Sequence, residues 1–268
     1  MTFVHLTAHA LTGKKPFVDP DVALCFWRSL QRLAPQAVAA CLMPNHPHLI
    51  VPTDAPDRLH GQFAQRLAAF ARAHDMGRTW QRVPPAEVVR PDRLVAVIRY
   101  VHLNPPRAGL VGDPLEWLLS THRGVVGAAL DPWVTADRLA DVLGRRRERF
   151  EAWFHRIVTD DSSVRTGGTP LPQPAPARIV PAVPLEQIAL AAHSAAHGCR
   201  IIERRVLVAL ARHQGWRDAA LIARIAGITP DSVRRLARRP EPELVRVGAL
   251  CLNDARLRRV PRMRHQGA

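Results

Sequence analysis

The sequence predicts an α+β protein, an antiparallel sheet packed by helices, followed by an all-helical C-terminal domain that contains a helix-turn-helix. Three observations predict it. Apolar runs of strand length alternate with runs of helical period in the first hundred or so residues, a stretch rich in Pro and Gly interrupts the chain at 160–184, and the apolar residues beyond it have helical spacing.

"FVHLTAHAL" at 3–11 has the length and apolar content of a first strand. The stretch 20–34 spaces Val22, Leu24, Cys25, Trp27, Leu30 and Leu33 at helical intervals, with Asp19 as N-cap. "AVAACLM" and "HLIVP" read as an antiparallel hairpin turning at Pro44 and Asn45. Helical period returns at 57–74, where Leu59, Phe63, Leu67 and Phe70 form the apolar face. A loosely defined strand falls within 80–89, and a helix at 91–104 is started by Pro91 and stopped by Pro105 and Pro106. The order is β-α-β-β-α, then a short strand and a helix.

From 131 to 158 the pattern is helical, with "GRRRERF" as a solvated helical face. The Pro-, Gly-, Ser- and Thr-rich stretch at 160–184 has a composition that packs no core and reads as a semi-stiff linker. Within the helical region beyond it, 219–238 fits a helix-turn-helix, with Ala223 at the helix crossing, Gly227 at the turn, and Ile228, Val233 and Leu236 as packing positions. Its second helix, from Thr229 or Pro230, offers Asp231, Ser232, Arg234, Arg235, Arg238 and Arg239 to a groove or a backbone. An ordinary helical hairpin fits the apolar spacing as well. The expected divisions are 1–126, a helical extension at 127–159, the linker at 160–184, a helical DNA-binding domain at 185–258 and a basic tail at 259–268.

Composition narrows the partner. The chain has 268 residues, 47% of them hydrophobic, and a formal charge of +15, which favours a polyanion such as DNA or RNA. No run approaches the roughly 20 apolar residues of a membrane span, and the N-terminus lacks a signal-peptide pattern, so the expectation is a cytoplasmic protein with no membrane partner. Cys25, Cys41, Cys199 and Cys251 include no close pair; neither a zinc knuckle nor a disulfide framework is expected, and reduced, buried thiols are. Trp80, Trp117, Trp133 and Trp153 are expected in the core rather than as base-stacking platforms, with Trp80 nearest the expected cleft.

Two motifs carry the chemistry. In "MPNHPH" at 43–48, His46 and His48 stand at i and i+2, which in a strand share a face while Pro47 points away. Such a pair is either two metal ligands or two polar side chains at the start of a strand. "RYVHLNP" holds Tyr100, the chain's only tyrosine, and Asn104 one helical turn later on the same face. A phenol and an amide oxygen then approach one point, or a core tyrosine precedes a helix-ending Asn. Arg99 alongside suits a phosphate, and His102, off the face of Tyr100, reads as packing or surface.

"MPNHPHLIV", "RYVHLNPPRAGLV" and "WLLSTHR" together resemble the transposase domain of the single-tyrosine HUH superfamily, in particular the REP-associated tyrosine transposase-like proteins related to small insertion-sequence transposases. The resemblance covers residues 1–123. It implies a ferredoxin-like HUH fold and a transposase-like catalytic domain at 1–126, in which His46 and His48 match the metal-ligating histidines, Tyr100 the nucleophile and Asn104 a polar third ligand. It further implies a divalent metal, Mg²⁺ or Mn²⁺, and cleavage and rejoining of single-stranded or hairpin DNA through a 5′-phosphotyrosine. Arg99 and Arg107 then fall where they contact DNA. Residues 185–258 are loosely similar to the helix-turn-helix DNA-binding domain of the replication initiator DnaA, which adds duplex DNA as a partner through Ser232, Arg234, Arg235 and Arg238. Relatives include two-chain active sites; the added domains favour a monomer over a homodimer here. Pro47 in place of the family's bulky aliphatic, and "WQRVPP" in place of its aromatic-basic stretch, motivate an alternative, a catalytically inactive regulator that binds hairpin or duplex DNA.

Overall fold

Alternating apolar residues open the chain as a strand. In the computed structural model, which describes residues 2–161, 168–197, 199–238 and 241–258, β1 (Thr2–Thr7) pairs antiparallel with β3 (Pro47–Thr53) and β4 (Glu87–Val89), while β2 (Ala39–Leu42) pairs with the other edge of β3. The strand order is β2-β3-β1-β4. Because β1 and β2 both run antiparallel to β3, they are parallel to each other, and helix α1 (Pro20–Leu33) joins them around the inserted strand. β3 and β4 flank β1 in the same way, joined through α2 (Pro56–Ala73). The result is two interlocked split β-α-β units, an α+β sheet as the sequence predicts.

Register decides which residues share a face. Thr7 pairs with His48, His5 with Ile50 and Cys41 with His48, so these side chains lie on one face, and Val4, Leu6, Leu49 and Val51 lie on the other. Helix α3 (Leu94–Arg107) lies across β2 and β3, and its Tyr100 meets the His48 ring, which places it on the histidine face.

The side chain of Asp19 caps α1 by accepting from the amides of Asp21 and Val22. The buried face of α1 is Ala23, Phe26, Trp27, Ser29 and Leu30, rotated from the expected one because Phe26 packs against Phe17 and Phe70 with ring centroids 4.7 and 4.6 Å away. That rotation leaves Cys25 exposed, so the expectation of four buried thiols fails there; Cys41 and Cys251 are buried and Cys199 is half-buried. In α2 the expected residues Leu59, Phe63, Leu67 and Phe70 are buried, with Ala71 beside them. Trp80, Trp117 and Trp133 each donate an indole N–H to a core carbonyl, those of Leu67, Leu42 and Ala34, which agrees with packing roles.

Two helix boundaries differ from expectation. α3 runs through Pro105 and Pro106 to Arg107 instead of stopping before them. A proline in the last turn forfeits only its own N–H, and the carbonyl of Val101 left by Pro105 is approached at 3.4 Å by the side-chain amide of Asn104. After α4 (His122–Val125), the stretch expected to be helical throughout divides into α5 (Ala136–Val142) and α6 (Phe150–Thr159). Gly144 and Arg149 adopt positive φ there, and "GRRRERF" makes an exposed turn before α6 rather than a helical face.

Among the described residues beyond 184 the helices are α7 (Leu185–Ala196), α8 (Arg200–His213), α9 (Ala219–Ala226), α10 (Pro230–Ala237), α11 (Pro242–Asn253) and α12 (Ala255–Arg258). These helices share a core that also takes in Leu115, Val126 and Ala128. Residues 168–183 of the Pro-rich stretch form no helix or strand, yet they lie along this core. Ala175 is buried, its amide donates to the carbonyl of Ala249 at 3.0 Å, and Gln214, Trp216 and Asn253 donate to the carbonyls of Pro176, Val183 and Gln173. Proline lacks an N–H but keeps its carbonyl, so an extended strap of this composition is held by side-chain donors from the helices beneath it. The stretch expected as a semi-stiff linker thus lends Ala175, with Leu171 and Val183 beside it, to the core of these helices. The expected basic tail at 259–268 and Arg239 lie outside the described residues. No described helix is long and apolar enough to cross a membrane.

Candidate metal and phosphate centre

The hairpin β2-β3 turns through Pro44 and Asn45, and the amide of Met43 donates to the carbonyl of His46 at 2.8 Å, closing the turn. His46 is therefore the last turn residue and His48 the second strand residue. Their rings lie 4.6 Å apart, nearly perpendicular. Pro47 opens the strand opposite Leu42, a position where a missing N–H is tolerated.

Two further histidines join the pair. His9 stacks on His46 at 4.3 Å, and His5 Nε2 lies 3.0 Å from His48 Nδ1. Sequence reasoning passed over both. The available signal was parity: in the β1–β3 pairing, His5 lies on the same face as Thr7, the residue opposite His48.

These contacts orient the His48 ring. Glu87 Oε2 is 3.5 Å from His5 Nδ1, so a proton on that nitrogen faces a carboxylate, and His5 Nε2 is left to accept from His48 Nδ1. His48 Nε2 is then a lone pair, and it is buried with no hydrogen-bond partner. Burial, followed by the neighbouring histidines, lowers His48 to a pKa of about 2 and His46 to about 4. Burial likewise pushes His5 down, against Glu87. Neutral imidazoles with an unshared ring-nitrogen lone pair are what a metal requires.

Tyr100 stands at the mouth of this group, 42% exposed, with its ring 5.8 Å from that of His48 and edge-on to it. The structure thus brings together His46, His48 and Tyr100, three of the four residues expected at the catalytic centre. Asn104, one turn on, donates its amide nitrogen to the carbonyl of Tyr100 at 3.0 Å. That leaves Oδ1, the atom a hard cation would take, as its available group. Among the described residues no group of three or more His, Cys, Asp or Glu side chains is arranged to hold a metal ion. A site built on His46 and His48 therefore needs an oxygen from outside that set, and Asn104 Oδ1 has the right chemistry.

Two arginines flank the tyrosine. Arg107 lies 5.7 Å from the Tyr100 ring centroid, and the carboxylate of Asp161, just beyond α6, bridges Arg99 at 3.1 Å and Arg107 at 2.9 Å. Arg107 is thus held against the phenol ring, and Arg99 is held next to Arg107 at the spacing of a single bridging anion.

His102 faces away from this centre and is fully buried, with Nδ1 3.0 Å from Ser120 Oγ. On the C-terminal helices, Thr229 caps α10 by accepting from the amide of Ser232 at 3.2 Å. Arg234 is bonded to Asp231, while Arg235 and Arg238 are exposed. Gly227 takes the left-handed conformation between α9 and α10, and Val233 is buried, both at the places the spacing assigned them.

No family model matches the chain, and no curated protein matches its sequence. A solved structure of a REP-associated tyrosine transposase bound to a REP hairpin is similar over 46% of this chain and 79% of that one, at 20% identity and a TM-score of 0.40. A likeness this loose identifies no family, and the chemistry of the centre is carried by the chain's own residues.

Proposed function

We propose that the chain is a transposase-like, metal-dependent enzyme that cuts and rejoins single-stranded DNA, with Tyr100 as its nucleophile. The observation that carries this reading is the convergence of two neutral histidines, His46 and His48, on the one exposed tyrosine. The motif resemblance of 1–123 supports it, and residues 1–126 are then the catalytic domain. His46, His48 and Asn104 would hold Mg²⁺ or Mn²⁺, which when bound would offset the charge of the scissile phosphate and polarise it for attack.

The chain's own groups supply the rest. Arg99 and Arg107 bind the phosphodiester beside the phenol and orient it, exchanging the Asp161 carboxylate for phosphate oxygens. The Tyr100 hydroxyl forms a bond to phosphorus as the bond to the 3′ oxygen breaks, leaving a 5′-phosphotyrosine and a free 3′-OH; the proton lost by the phenol equals the one gained by the 3′ oxygen. Because one phosphodiester is exchanged for another, the step runs backwards as readily, and a different 3′-OH completes strand joining. Tyr100 lies against the histidines of its own chain, which supports a monomer acting in cis. The helical region at 185–258 would add duplex binding through Ser232, Arg235 and Arg238.

The test is incubation with Mn²⁺ and labelled single-stranded hairpin oligonucleotides, followed by denaturing electrophoresis for a protein–DNA adduct. An adduct in the wild type that is lost in Tyr100→Phe is the expected result. Pro47 between the histidines and the "WQRVPP" stretch motivate one rival, a hairpin- or duplex-binding regulator without catalysis. Binding of the same hairpins with no adduct under any metal would establish that rival instead.

A further inference from the structure

We infer that a notch between the end of α8, the start of α9 and the end of α10 is a seat for a backbone phosphate of duplex DNA, an inference that rests on reading 185–258 as a duplex-binding region. The notch has a volume of about 310 Å³ and is lined by Arg212, Arg217, Arg234 and Arg238 over a floor that includes Ala219 and Ala237. Neither Arg212 nor Arg217 belongs to the residues the helix-turn-helix spacing singled out.

The seat is built rather than accidental. Arg212 Nη1 donates to the carbonyl of Arg217 at 3.1 Å, and Arg217 Nη1 donates to the carbonyl of Arg212 at 3.2 Å. This reciprocal pair fixes both side chains across the α8–α9 turn using neutral acceptors only, which leaves their charge uncompensated and the remaining donors of each guanidinium available. Three other arginines of this region meet carboxylates, Arg205 with Glu241, Arg246 with Glu243 and Arg256 with Asp254. Within the notch only Arg234 has such a partner, Asp231, and no ion pair joins Arg212, Arg217 or Arg238 to an acid among the described residues. The acid nearest in sequence, Asp218, spends its Oδ1 on the amides of Ala220 and Leu221 as the cap of α9.

Holding several guanidiniums together without a counter-charge is unfavourable unless an anion completes the group, and the planar fork of arginine suits a phosphate bidentately. The location selects the source. The notch adjoins the end of α10, the helix that carries Ser232, Arg235 and Arg238, so a duplex read by α10 brings its backbone past it. Contacts of this kind position the protein and do not read bases.

The experiment is fluorescence anisotropy with the full chain, a random-sequence duplex and an unstructured single strand of equal length, from about 50 to about 200 mM salt. Arg212→Gln/Arg217→Gln keeps hydrogen-bond donors and removes charge, and Arg212→Lys/Arg217→Lys keeps charge; thermal melts confirm that both fold. The seat predicts that the Gln pair lowers the log–log salt slope for the duplex by about 1, the share of one phosphate, equally for different sequences, while the Lys pair retains most of it. Single-strand binding is expected to be unchanged. An unaltered duplex slope in the Gln pair would overturn the seat and leave the duplex reading standing. Equal losses on duplex and single strand would overturn the assignment to duplex backbone, and a wild type that binds no duplex would overturn both.

Discussion

Helix α3 separates two groups of histidines. On its sheet side His5, His9, His46 and His48 gather below Tyr100; on its other side His102, His122 and His155 gather around Phe154, with His155 Nδ1 3.2 Å from His122 Nε2. Tyr100 and His102 are two residues apart, about 200° around the helix, so a single helix serves both groups. Burial is the leading cause of depression in each, taking His48 to about 2 and His102 to about 3. Each also has ring nitrogens with no partner: His48 Nε2 on one side, His102 Nε2 and His122 Nδ1 on the other. A depressed pKa and an orphaned nitrogen therefore do not by themselves mark a reactive centre. What differs is access. The sheet-side group opens beside a half-exposed phenol and two arginines, whereas the other is closed in by Phe154, Ser120 and the carbonyl of Pro170.

The largest effect expected separates the groups by alanine substitution. His48→Ala should cut strand cleavage per folded molecule by about 10²-fold or more. His122→Ala removes a fully buried ring and strands its partner His155, and should cost about 2–4 kcal/mol of stability while the folded fraction stays active. Denaturant titration and single-turnover cleavage on both variants decide the matter. Equal losses of activity per folded molecule would erase the distinction between the groups.

The sequence made one group legible and hid the other for physical reasons. His46 and His48 sit in one turn-strand motif, and Tyr100 and Asn104 on one helical face, so local spacing displays them. His102, His122 and His155 come from α3, α4 and α6, and only tertiary packing brings them together. The same holds for His5, whose role depends on the β1–β3 register, and for Asp161, which reaches Arg99 and Arg107 from beyond α6. Sheet and hairpin were readable because alternation and a Pro-Asn turn are local signals. The end of α3 was not, because a side-chain amide compensates for the proline, and neither was the strap at 168–183, because its hydrogen bonds come from residues up to 80 positions away.

A smaller effect tests how the sheet-side group is oriented. If His5 holds the His48 ring by accepting from its Nδ1, then His5→Leu should weaken Mn²⁺ binding about 10- to 100-fold, while His5→Gln, whose side-chain oxygen can accept the same hydrogen bond, should recover part of it. Calorimetric titration of the metal without DNA reads this apart from catalysis. Indistinguishable affinities in wild type and His5→Leu would show that the ring needs no such support.

The gentlest probe is proton linkage in the closed group. The folded pKa of His102 is about 3, below the unfolded value near 6.5, and burial is the cause. Between those two values the unfolded chain binds the proton and the folded chain does not. The contribution is therefore fully present above about pH 6.5 and is lost at about 1.4 kcal/mol per pH unit as the pH falls toward the folded value. Lowering the pH from 7 to 5 should then cost wild type about 2 kcal/mol more than His102→Gln, a variant that cannot titrate at this position. Matching slopes of stability against pH in the two proteins would mean that His102 gains its proton while folded, and so that the group is not closed to water after all. With Asp113 and Arg256 acting on His155 in opposite senses, the slope contributed by that histidine is set by both neighbours as well as by burial. His102 is the cleaner reporter because burial is the one cause of its shift.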